Sequence, residues 1–311
     1  MDSAPSAPPA PGSPPSGSAR GAGVRTWVSG ASGFVGQHLV QILFDDILIC
    51  PTRAEADLAV PGALAAHLRA SGATRAVHLA AAAGERAADP AALERLNVQA
   101  TRELAEAAAE LGLPLVILST GYVYGETEGP AREDAELRPR GPYATSKARM
   151  EAVLPAGADL RVLRAFNHAG PGQPGGYALP AFAAAARVAA AGGAPRVGDL
   201  EAIRDFSDVR DLAALIAAAV RAPRWPRVMN ACSGAPRRLR DVLADVFWAA
   251  GLPPEALPPG GPRGELRACW GDPGLARAWG PAPAHPWSAT VAAALAEHGP
   301  PAPPVSSGPP G

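Results

Sequence analysis

The sequence predicts an α/β protein built on a doubly wound parallel sheet, with a smaller lobe that comes mainly from the C-terminal half. Short apolar segments alternate with segments whose apolar residues recur at helical intervals, a pattern typical of parallel sheets covered by helices on both faces. A glycine-rich turn, Val28-Ser29-Gly30-Ala31-Ser32-Gly33-Phe34-Val35-Gly36, joins the first apolar segment to the first helical one. Together these observations indicate a sheet of the Rossmann type, in which ligands bind beyond the carboxyl ends of the strands.

The individual elements follow from the same patterns. Apolar segments predict strands at 26–28, 46–50, 75–80, 115–118, 160–166 and 228–230. Helical periodicity predicts helices at 37–44, 90–111, 142–154, 179–191, 209–222, 239–251 and 289–298. The strand at 115–118 is continuously apolar and is followed by Ser119 and Thr120, as in a buried parallel strand that ends at a site.

The composition argues against several kinds of partner. The 311 residues include 28 basic and 29 acidic side chains, which gives no electrostatic footprint for nucleic acid or an anionic membrane. Three cysteines and six histidines are too scattered for a disulfide framework or a metal site. No segment approaches the roughly 20 apolar residues of a membrane helix, and the N-terminus lacks a charged-then-apolar leader pattern. We therefore expect a cytoplasmic protein with no metal.

The glycine-rich turn is a candidate phosphate-binding loop. Glycines let the backbone turn tightly and approach a ligand closely, and the following helix N-terminus offers unpaired N–H groups and a positive dipole end to a pyrophosphate. The glycines are spaced three and three, unlike the G-x-G-x-x-G of many dehydrogenases. Taken alone, the turn therefore also fits a structural role without a ligand.

The chain divides into four predicted segments. Residues 1–23 and 299–311 are rich in small residues and proline, and we expect them to be disordered tails. Residues 24–167 contain the glycine-rich turn and most of the strands, and they form the predicted dinucleotide-binding domain. Residues 168–298 contain Gly- and Pro-rich loops between Ala-rich helices, and they form most of the predicted substrate-binding lobe.

Tyr143 and Lys147 form the strongest candidate catalytic pair. Residues four apart on a helix lie on one face, so the phenol and the ammonium project side by side. A free tyrosine has a pKa of about 10, and the neighbouring lysine charge is expected to lower that pKa toward the working range. The pair would then exchange a proton with a hydroxyl or carbonyl oxygen.

These motifs, in this order, resemble the extended short-chain dehydrogenase/reductase family, also described as NAD-dependent epimerases/dehydratases. The resemblance covers about 24–296 and rests on VSGASGFVG (28–36), HLAA (78–81), NVQAT (97–101), STGYVYG (119–125) and YATSK (143–147). It implies catalysis by Thr120, Tyr143 and Lys147, with Thr120 bonded to the substrate oxygen and Lys147 also holding the nicotinamide ribose. The implied cofactor-binding residues are Gly30, Ser32, Gly33, Phe34, Val35, Gly36, Asp57, Leu58, Leu79, Ala80, Ala81, Tyr143 and Lys147.

Within that family the chain is similar to the GDP-4-keto-6-deoxymannose reductases, which form GDP-rhamnose. The similarity lies in RAFNHAGPGQ (164–173), VGDLE (197–201) and RDFSDVRD (204–211). It implies that Asn167, Arg204 and Arg263 contact the diphosphate of a nucleotide sugar, a role suited to the planar fork of a guanidinium. By the same resemblance we expect a homodimer formed through two helices of each subunit.

The residues after Thr120 favour reduction over other chemistry. Dehydratases of the family place an acid pair there and C3/C5 epimerases a cysteine, whereas this chain has Gly121 and Tyr122. A proton from Tyr143 and a hydride from the cofactor suffice for reducing a C4 ketone, here that of GDP-4-keto-6-deoxymannose. A nucleotide-sugar 4-epimerase, a 4,6-dehydratase, a reductase of a dTDP-linked keto sugar and a non-catalytic dinucleotide sensor stay open as alternatives.

The cofactor prediction depends on one arginine. Dinucleotide folds that prefer NAD usually have an acidic residue at the end of the second strand, where this chain reads Cys50-Pro51-Thr52-Arg53. Arg53 could meet a 2′-phosphate, so NADP(H) is favoured and NAD(H) stays open. An ordinary solvated loop charge explains Arg53 nearly as well.

Overall fold

The main sheet has six strands, all parallel: β1 (Arg25–Ser29), β2 (Ile47–Ile49), β3 (Arg75–His78), β4 (Leu115–Thr120), β5 (Leu160–Ala165) and β8 (Val228–Ala231). Their spatial order in this computed structural model is β2-β1-β3-β4-β5-β8. The structure describes residues 23–83, 89–264 and 266–300. The winding reverses between β1 and β3, and this point marks the crevice where such sheets bind ligands. The predicted doubly wound parallel sheet is confirmed.

Helices cover both faces of this sheet. One face carries α1 (Phe34–Ile42) and α7 (Val209–Arg221), and the other carries α2 (Ala63–Ala70), α4 (Ala100–Glu110) and α5 (Gly141–Ala152). Alternate residues of β4 point to opposite faces of the sheet. Val116 packs with α1 and α7. Leu115 and Ile117 pack with α2, α4 and α5. This double burial explains why β4 is continuously apolar in sequence.

A smaller lobe surrounds a second sheet. Its strands β6 (Asn167–Ala169), β7 (Ile203–Asp208) and β10 (Ala268–Cys269) are parallel, and β9 (Pro236–Arg238) pairs antiparallel with β7. Helices α6 (Ala178–Ala190), α8 (Leu239–Ala249) and α10 (Trp287–His298) pack around Phe182, Phe206 and Phe247. Two short helices, α3 (Pro90–Leu93) and α9 (Gly274–Trp279), complete the α-helices in the described part of the chain.

Several predicted elements differ from the observed ones. The first helix begins at Phe34 rather than at residue 37, because Gly33 takes the extended N-cap conformation. The predicted helix at 90–111 is interrupted by a π-helical turn, Glu94–Gln99. The sequence analysis missed α2, α9 and the strands β6, β7, β9 and β10; the charged sequence of β7, IRDFSD, hides its strand character.

The chain crosses between the lobes more than once. Although α7 and β8 fall within 168–298, they pack on the main sheet or extend it. The predicted tails lie outside the described residues, except Gly23, Gly299 and Pro300. No helix in the described part of the chain is both long and apolar enough to cross a membrane.

Candidate active site

The glycine-rich turn forms a cradle at the carboxyl end of β1. Gly30 has a φ of +74°, and a Cβ there would lie 2.8 Å from the backbone nitrogen of Ala80. A Cβ on Gly36 would collide with the carbonyl oxygens of Gly30 and Ala31. The first turn of α1 has no acidic residue, and its N-cap Gly33 has no side chain to bond its N–H groups. The cradle therefore fits the pyrophosphate of a dinucleotide.

The segment after β3 lies beside this cradle and is fixed by Asn97. The amide of Asn97 accepts from the backbone N–H of Ala82 at 2.7 Å and donates to the Ala82 carbonyl at 3.1 Å. It also donates to the Ser146 hydroxyl on α5 at 3.1 Å. Asn97 lies in the π-helical turn. Through Ala82 it fixes the backbone directly after the predicted cofactor-binding residues Leu79, Ala80 and Ala81. The sequence analysis used Asn97 only as part of a motif and assigned it no role.

Arg53 and Asp57 lie together beyond the end of β2. The Arg53 Nε atom is 3.1 Å from an Asp57 carboxylate oxygen, and 69% of the Arg53 side chain is exposed. Leu58, the next predicted cofactor residue, packs against the core on the α2 and α4 side. The structure thus brings two of the predicted cofactor-binding residues, Arg53 and Asp57, into one ion pair.

The predicted catalytic residues come from β4 and α5. Thr120 ends β4, and its hydroxyl accepts from the backbone N–H of Tyr122 at 3.3 Å, which leaves the hydroxyl proton available to a substrate oxygen. Lys147 is buried and its Nζ atom donates to the carbonyl of Leu118 at 2.9 Å. Burial lowers the pKa of Lys147 to about 8, against an opposing effect of Glu151.

The electrostatics of Tyr143 differ from the sequence-based expectation. Burial, with smaller effects from the neighbouring phenols of Tyr177 and Tyr122, raises the pKa of Tyr143 to about 12. The prediction that Lys147 lowers this pKa is wrong, because desolvation dominates. Tyr143 is consequently protonated near neutral pH. Tyr177, at the N-cap of α6, extends from the smaller lobe toward this phenol and was missed from sequence.

A buried ion pair supports the catalytic helix and strand from behind. Glu151, one turn after Lys147, accepts from the Ser119 hydroxyl at 2.5 Å and from the Arg164 guanidinium at 2.7 Å. Arg164 also donates to the Tyr124 hydroxyl at 2.7 Å. This network ties β4, α5 and β5 together beside Thr120. Sequence spacing alone did not show it, because its members are distant in the chain.

Two predicted substrate residues meet at Tyr122. The Tyr122 hydroxyl donates to the Asn167 side-chain oxygen at 2.7 Å. The guanidinium carbon of Arg204 lies 5.9 Å from the centroid of the Tyr122 ring. The Arg204 guanidinium also donates to the carbonyls of Ile203 and Leu266, at 2.8 Å and 2.7 Å. Some of its N–H groups are therefore already bonded to backbone oxygens.

Arg263 lies on an exposed loop and is the least constrained of the predicted substrate residues. The Arg263 charge interacts with the carboxylate of Asp199. The same carboxylate accepts a hydrogen bond from the Gly264 N–H at 2.9 Å. Although burial opposes ionisation, the N–H bonds of Gly264 and Glu201 and the charges of Arg204 and Arg263 lower the pKa of Asp199. Arg204 and Arg263 therefore share an acidic neighbour.

Two histidines near these residues have structural partners. His78 bonds the hydroxyls of Ser29 and Thr101 at 2.7 and 3.0 Å, and burial lowers its pKa to about 3. His168 bonds the Phe166 carbonyl at 3.1 Å and stacks on Phe34, with ring centroids 5.8 Å apart. Both imidazoles are consequently neutral near pH 7.

A cavity of about 330 Å³ lies between α7, α9 and the start of α10, apart from the predicted catalytic residues. Its walls include Asp211, Arg237, Arg277, His285 and Trp287. Asp211 bonds His285 at 2.7 Å, and Arg237 lies 4.7 Å from the centroid of the Trp287 ring. None of the lining residues is a predicted catalytic residue, although His168 also lines the cavity.

Residues 26–232 match the model of the NAD dependent epimerase/dehydratase family, and the chain belongs to that family. It is therefore an NAD(P)-dependent oxidoreductase of the extended short-chain dehydrogenase/reductase type, as the sequence predicts.

Two curated relatives are similar over most of their length. A GDP-6-deoxy-D-mannose reductase of Pseudomonas aeruginosa is 32% identical over 243 residues, covering 71% of this chain and 80% of the relative. A dTDP-glucose 4,6-dehydratase of Streptomyces griseus is 31% identical over 261 residues, covering 72% and 78%. Both relatives are named for nucleotide-linked sugars, but for different reactions.

Solved structures agree with this assignment. RMD from Pseudomonas aeruginosa, complexed with NADPH, is 28% identical with a TM-score of 0.76, covering 88% of this chain and 97% of that one. The Thermus thermophilus UDP-glucose 4-epimerase, complexed with NAD, is 27% identical with a TM-score of 0.74, covering 88% and 98%. One fold thus serves a neighbour complexed with NADPH and an epimerase complexed with NAD, so the fold alone does not fix the reaction.

Proposed function

We propose that this protein is a nucleotide-sugar 4-ketoreductase that converts GDP-4-keto-6-deoxymannose to GDP-rhamnose with NADPH. The relatives named above act on nucleotide-linked sugars, and one of them is a GDP-6-deoxy-D-mannose reductase. The predicted site residues Thr120, Tyr143 and Lys147 take the catalytic roles.

The observation that carries the proposal is the pair of residues after Thr120. A dehydratase needs a carboxylate here to move protons at the sugar ring, but the chain has Gly121 and Tyr122. A Cβ at Gly121 would lie 2.6 Å from the Phe166 ring, so a larger side chain does not fit unless that ring moves. The Tyr122 phenol is bonded to Asn167. Both positions therefore favour reduction over dehydration.

Side chains of the protein protonate and stabilise the oxygen of the C4 ketone. Tyr143, protonated because its pKa is about 12, donates its proton to the oxygen as negative charge develops there. The Thr120 hydroxyl donates a hydrogen bond to the same oxygen. Lys147 is charged below pH about 8 and stabilises the phenolate that Tyr143 becomes. The reduced nicotinamide, when bound, supplies the hydride to C4.

The cradle and its neighbours would hold the dinucleotide. The pyrophosphate would lie against the N–H groups of the first turn of α1, from Phe34 to Gly36, and Lys147 would hold the nicotinamide ribose. We favour NADP(H) because Arg53 is well exposed and because a similar solved structure is complexed with NADPH. A 2′-phosphate would compete with Asp57 for the Arg53 guanidinium.

The test is a reduction assay with GDP- and dTDP-linked 4-keto-6-deoxy sugars, following consumption of NADPH and of NADH. We expect NADPH consumption with the GDP-linked ketone and a new 6-deoxyhexose product. Tyr143→Phe should lower kcat about 1,000-fold, because general-acid catalysis contributes on that order, while NADPH still binds. Full activity of this variant would refute the mechanism.

Other outcomes identify the alternatives. Sugar interconversion without net cofactor consumption would indicate a 4-epimerase, and formation of a keto sugar from GDP-mannose would indicate a dehydratase. A preference for the dTDP-linked ketone would correct the nucleotide. Binding of NADPH without turnover of any sugar would indicate a dinucleotide sensor. The homodimer and the cytoplasmic location stay predictions, and light scattering would test the first of them.

A further inference from the structure

Tyr122 occupies the junction between the catalytic threonine and the two predicted substrate residues. Its backbone N–H bonds the Thr120 hydroxyl at 3.3 Å, and its phenol donates to Asn167 at 2.7 Å. Its ring lies beside the Arg204 guanidinium, 5.9 Å away. One residue therefore contacts Thr120 through its backbone, and Asn167 and Arg204 through its side chain.

The direction of the hydrogen bond to Asn167 determines what the amide can offer a ligand. A primary amide has an acceptor oxygen and a nitrogen with two N–H donors. Because the phenol takes the oxygen, the amide nitrogen is the end left for a ligand. A diphosphate consists of acceptors only, so it is bound by donors and repelled by an exposed carbonyl oxygen.

The phenol is well suited to act only as a donor to this amide. Burial raises the pKa of Tyr122, although the Arg204 charge opposes the shift. The hydroxyl therefore keeps its proton across the range in which a nucleotide sugar is stable. A carboxylate at position 122 would instead accept a hydrogen bond and would turn the amide nitrogen of Asn167 away from a ligand.

We infer that Tyr122 is a positioning residue that sets the orientation of the Asn167 amide, so that its N–H groups face the diphosphate of the nucleotide sugar. This inference rests on the proposed function, because it takes a nucleoside diphosphate as the ligand. Tyr122 thus gives a binding role to the position that a dehydratase uses for proton transfer.

The test compares Tyr122→Phe with Tyr124→Phe. Tyr124, two residues further in the same turn, also donates its hydroxyl to an asparagine oxygen at 2.7 Å, that of Asn230. Both variants remove one hydroxyl that donates to an asparagine oxygen at 2.7 Å, and Tyr124→Phe also removes the bond from Arg164. Only the Tyr122 hydroxyl faces Asn167. Titration calorimetry with GDP, with NADPH saturating, measures the dissociation constant of each variant.

We expect Tyr122→Phe to weaken GDP binding about tenfold and to raise KM for the keto sugar similarly, with kcat within about twofold. Tyr124→Phe should lower the melting temperature and leave GDP affinity unchanged. Asn167→Ala should weaken GDP binding, and adding Tyr122→Phe to it should cost no more, because the two residues act as a unit.

Wild-type GDP affinity in Tyr122→Phe, or additive losses in the double variant, would overturn the inference. If wild-type protein binds dTDP or UDP instead of GDP, the proposed nucleotide is wrong, and the same comparison with that nucleotide still tests Tyr122. If none of the three nucleoside diphosphates binds, both the proposed function and this inference fail.

Discussion

Tyr143 and Lys147 stand on a helix packed against the main sheet, whereas Arg204 and Arg263 stand on the small sheet and on a loop beside it. Lys147 is fixed by burial and by its bond to the Leu118 carbonyl, and Tyr143 is half-buried on the same helix. On the other side, Arg204 bonds carbonyls of its own lobe and Arg263 is exposed. The proposed cofactor half, which includes Lys147, is thus held by the core, and the proposed substrate half, which includes Arg204 and Arg263, by local polar contacts.

The two regions therefore differ in how firmly their side chains are held. Side chains that position chemistry on a sheet move only if the sheet moves, because the interior is close-packed. Side chains on loops can change partner when a ligand arrives. We therefore expect substitutions in the cofactor half to cause large losses, and substitutions in the substrate half to cause graded changes in specificity.

The largest expected effect is in the cradle. Gly36→Ala places a Cβ against the carbonyl oxygens of Gly30 and Ala31, which are backbone and cannot move aside freely. We expect NADPH affinity to fall at least 100-fold, together with a lower melting temperature. Gly129→Ala is the matched control, because a Cβ there meets no atom within 4 Å. Unchanged NADPH affinity in Gly36→Ala would show that the turn does not approach the cofactor.

A second prediction concerns the pH dependence of the catalytic pair. Burial lowers the pKa of Lys147 to about 8, so its charge is present below that pH and is lost above it. We expect kcat/KM for ketone reduction to fall about tenfold per pH unit above pH 8, because kcat/KM reports the free enzyme. Stopped-flow assays across this range measure it. A profile that stays flat to pH 10 would show that the Lys147 charge has no role in the step.

The smallest effects should separate the two arginines of the substrate half. We expect Arg204→Ala to raise KM for the keto sugar about fivefold, because its guanidinium is held beside Tyr122 by two carbonyls. Arg263→Ala should change KM less than twofold, since the side chain is exposed. Equal effects of the two substitutions would mean that the loop closes on the substrate. Steady-state kinetics at two salt concentrations would measure both.

The sequence predicted most of the sheet because its strands are apolar on both faces and its helices have one apolar side. β7 was missed because Arg204, Asp205 and Asp208 interrupt that pattern, and all three are satisfied by contacts distant in sequence. The pair Tyr143 and Lys147 was predictable from spacing on one helix. The bond between Tyr122 and Asn167 was not, because 45 residues separate them.

The pKa of Tyr143 shows a further limit of sequence reasoning. The spacing of Lys147 on the helix suggested a charge that would lower this pKa, but spacing carries no information on desolvation, which sets the direction of the shift. Burial is a property of the assembled lobes, since Tyr177 of α6 also acts on this phenol. For a reductase the raised pKa is compatible with function, because the tyrosine begins the reaction protonated.

The π-helical turn at Glu94–Gln99 contains one residue more than an α-helix of the same length would contain. Since each residue rotates an α-helix by about 100°, the extra residue sets the angular register of Asn97 relative to α4. Deleting one residue from this turn would leave a continuous helix but point the Asn97 amide away from Ala82. A relative with one residue fewer in this turn would therefore be expected to lack the bonds between the asparagine amide and the segment after β3.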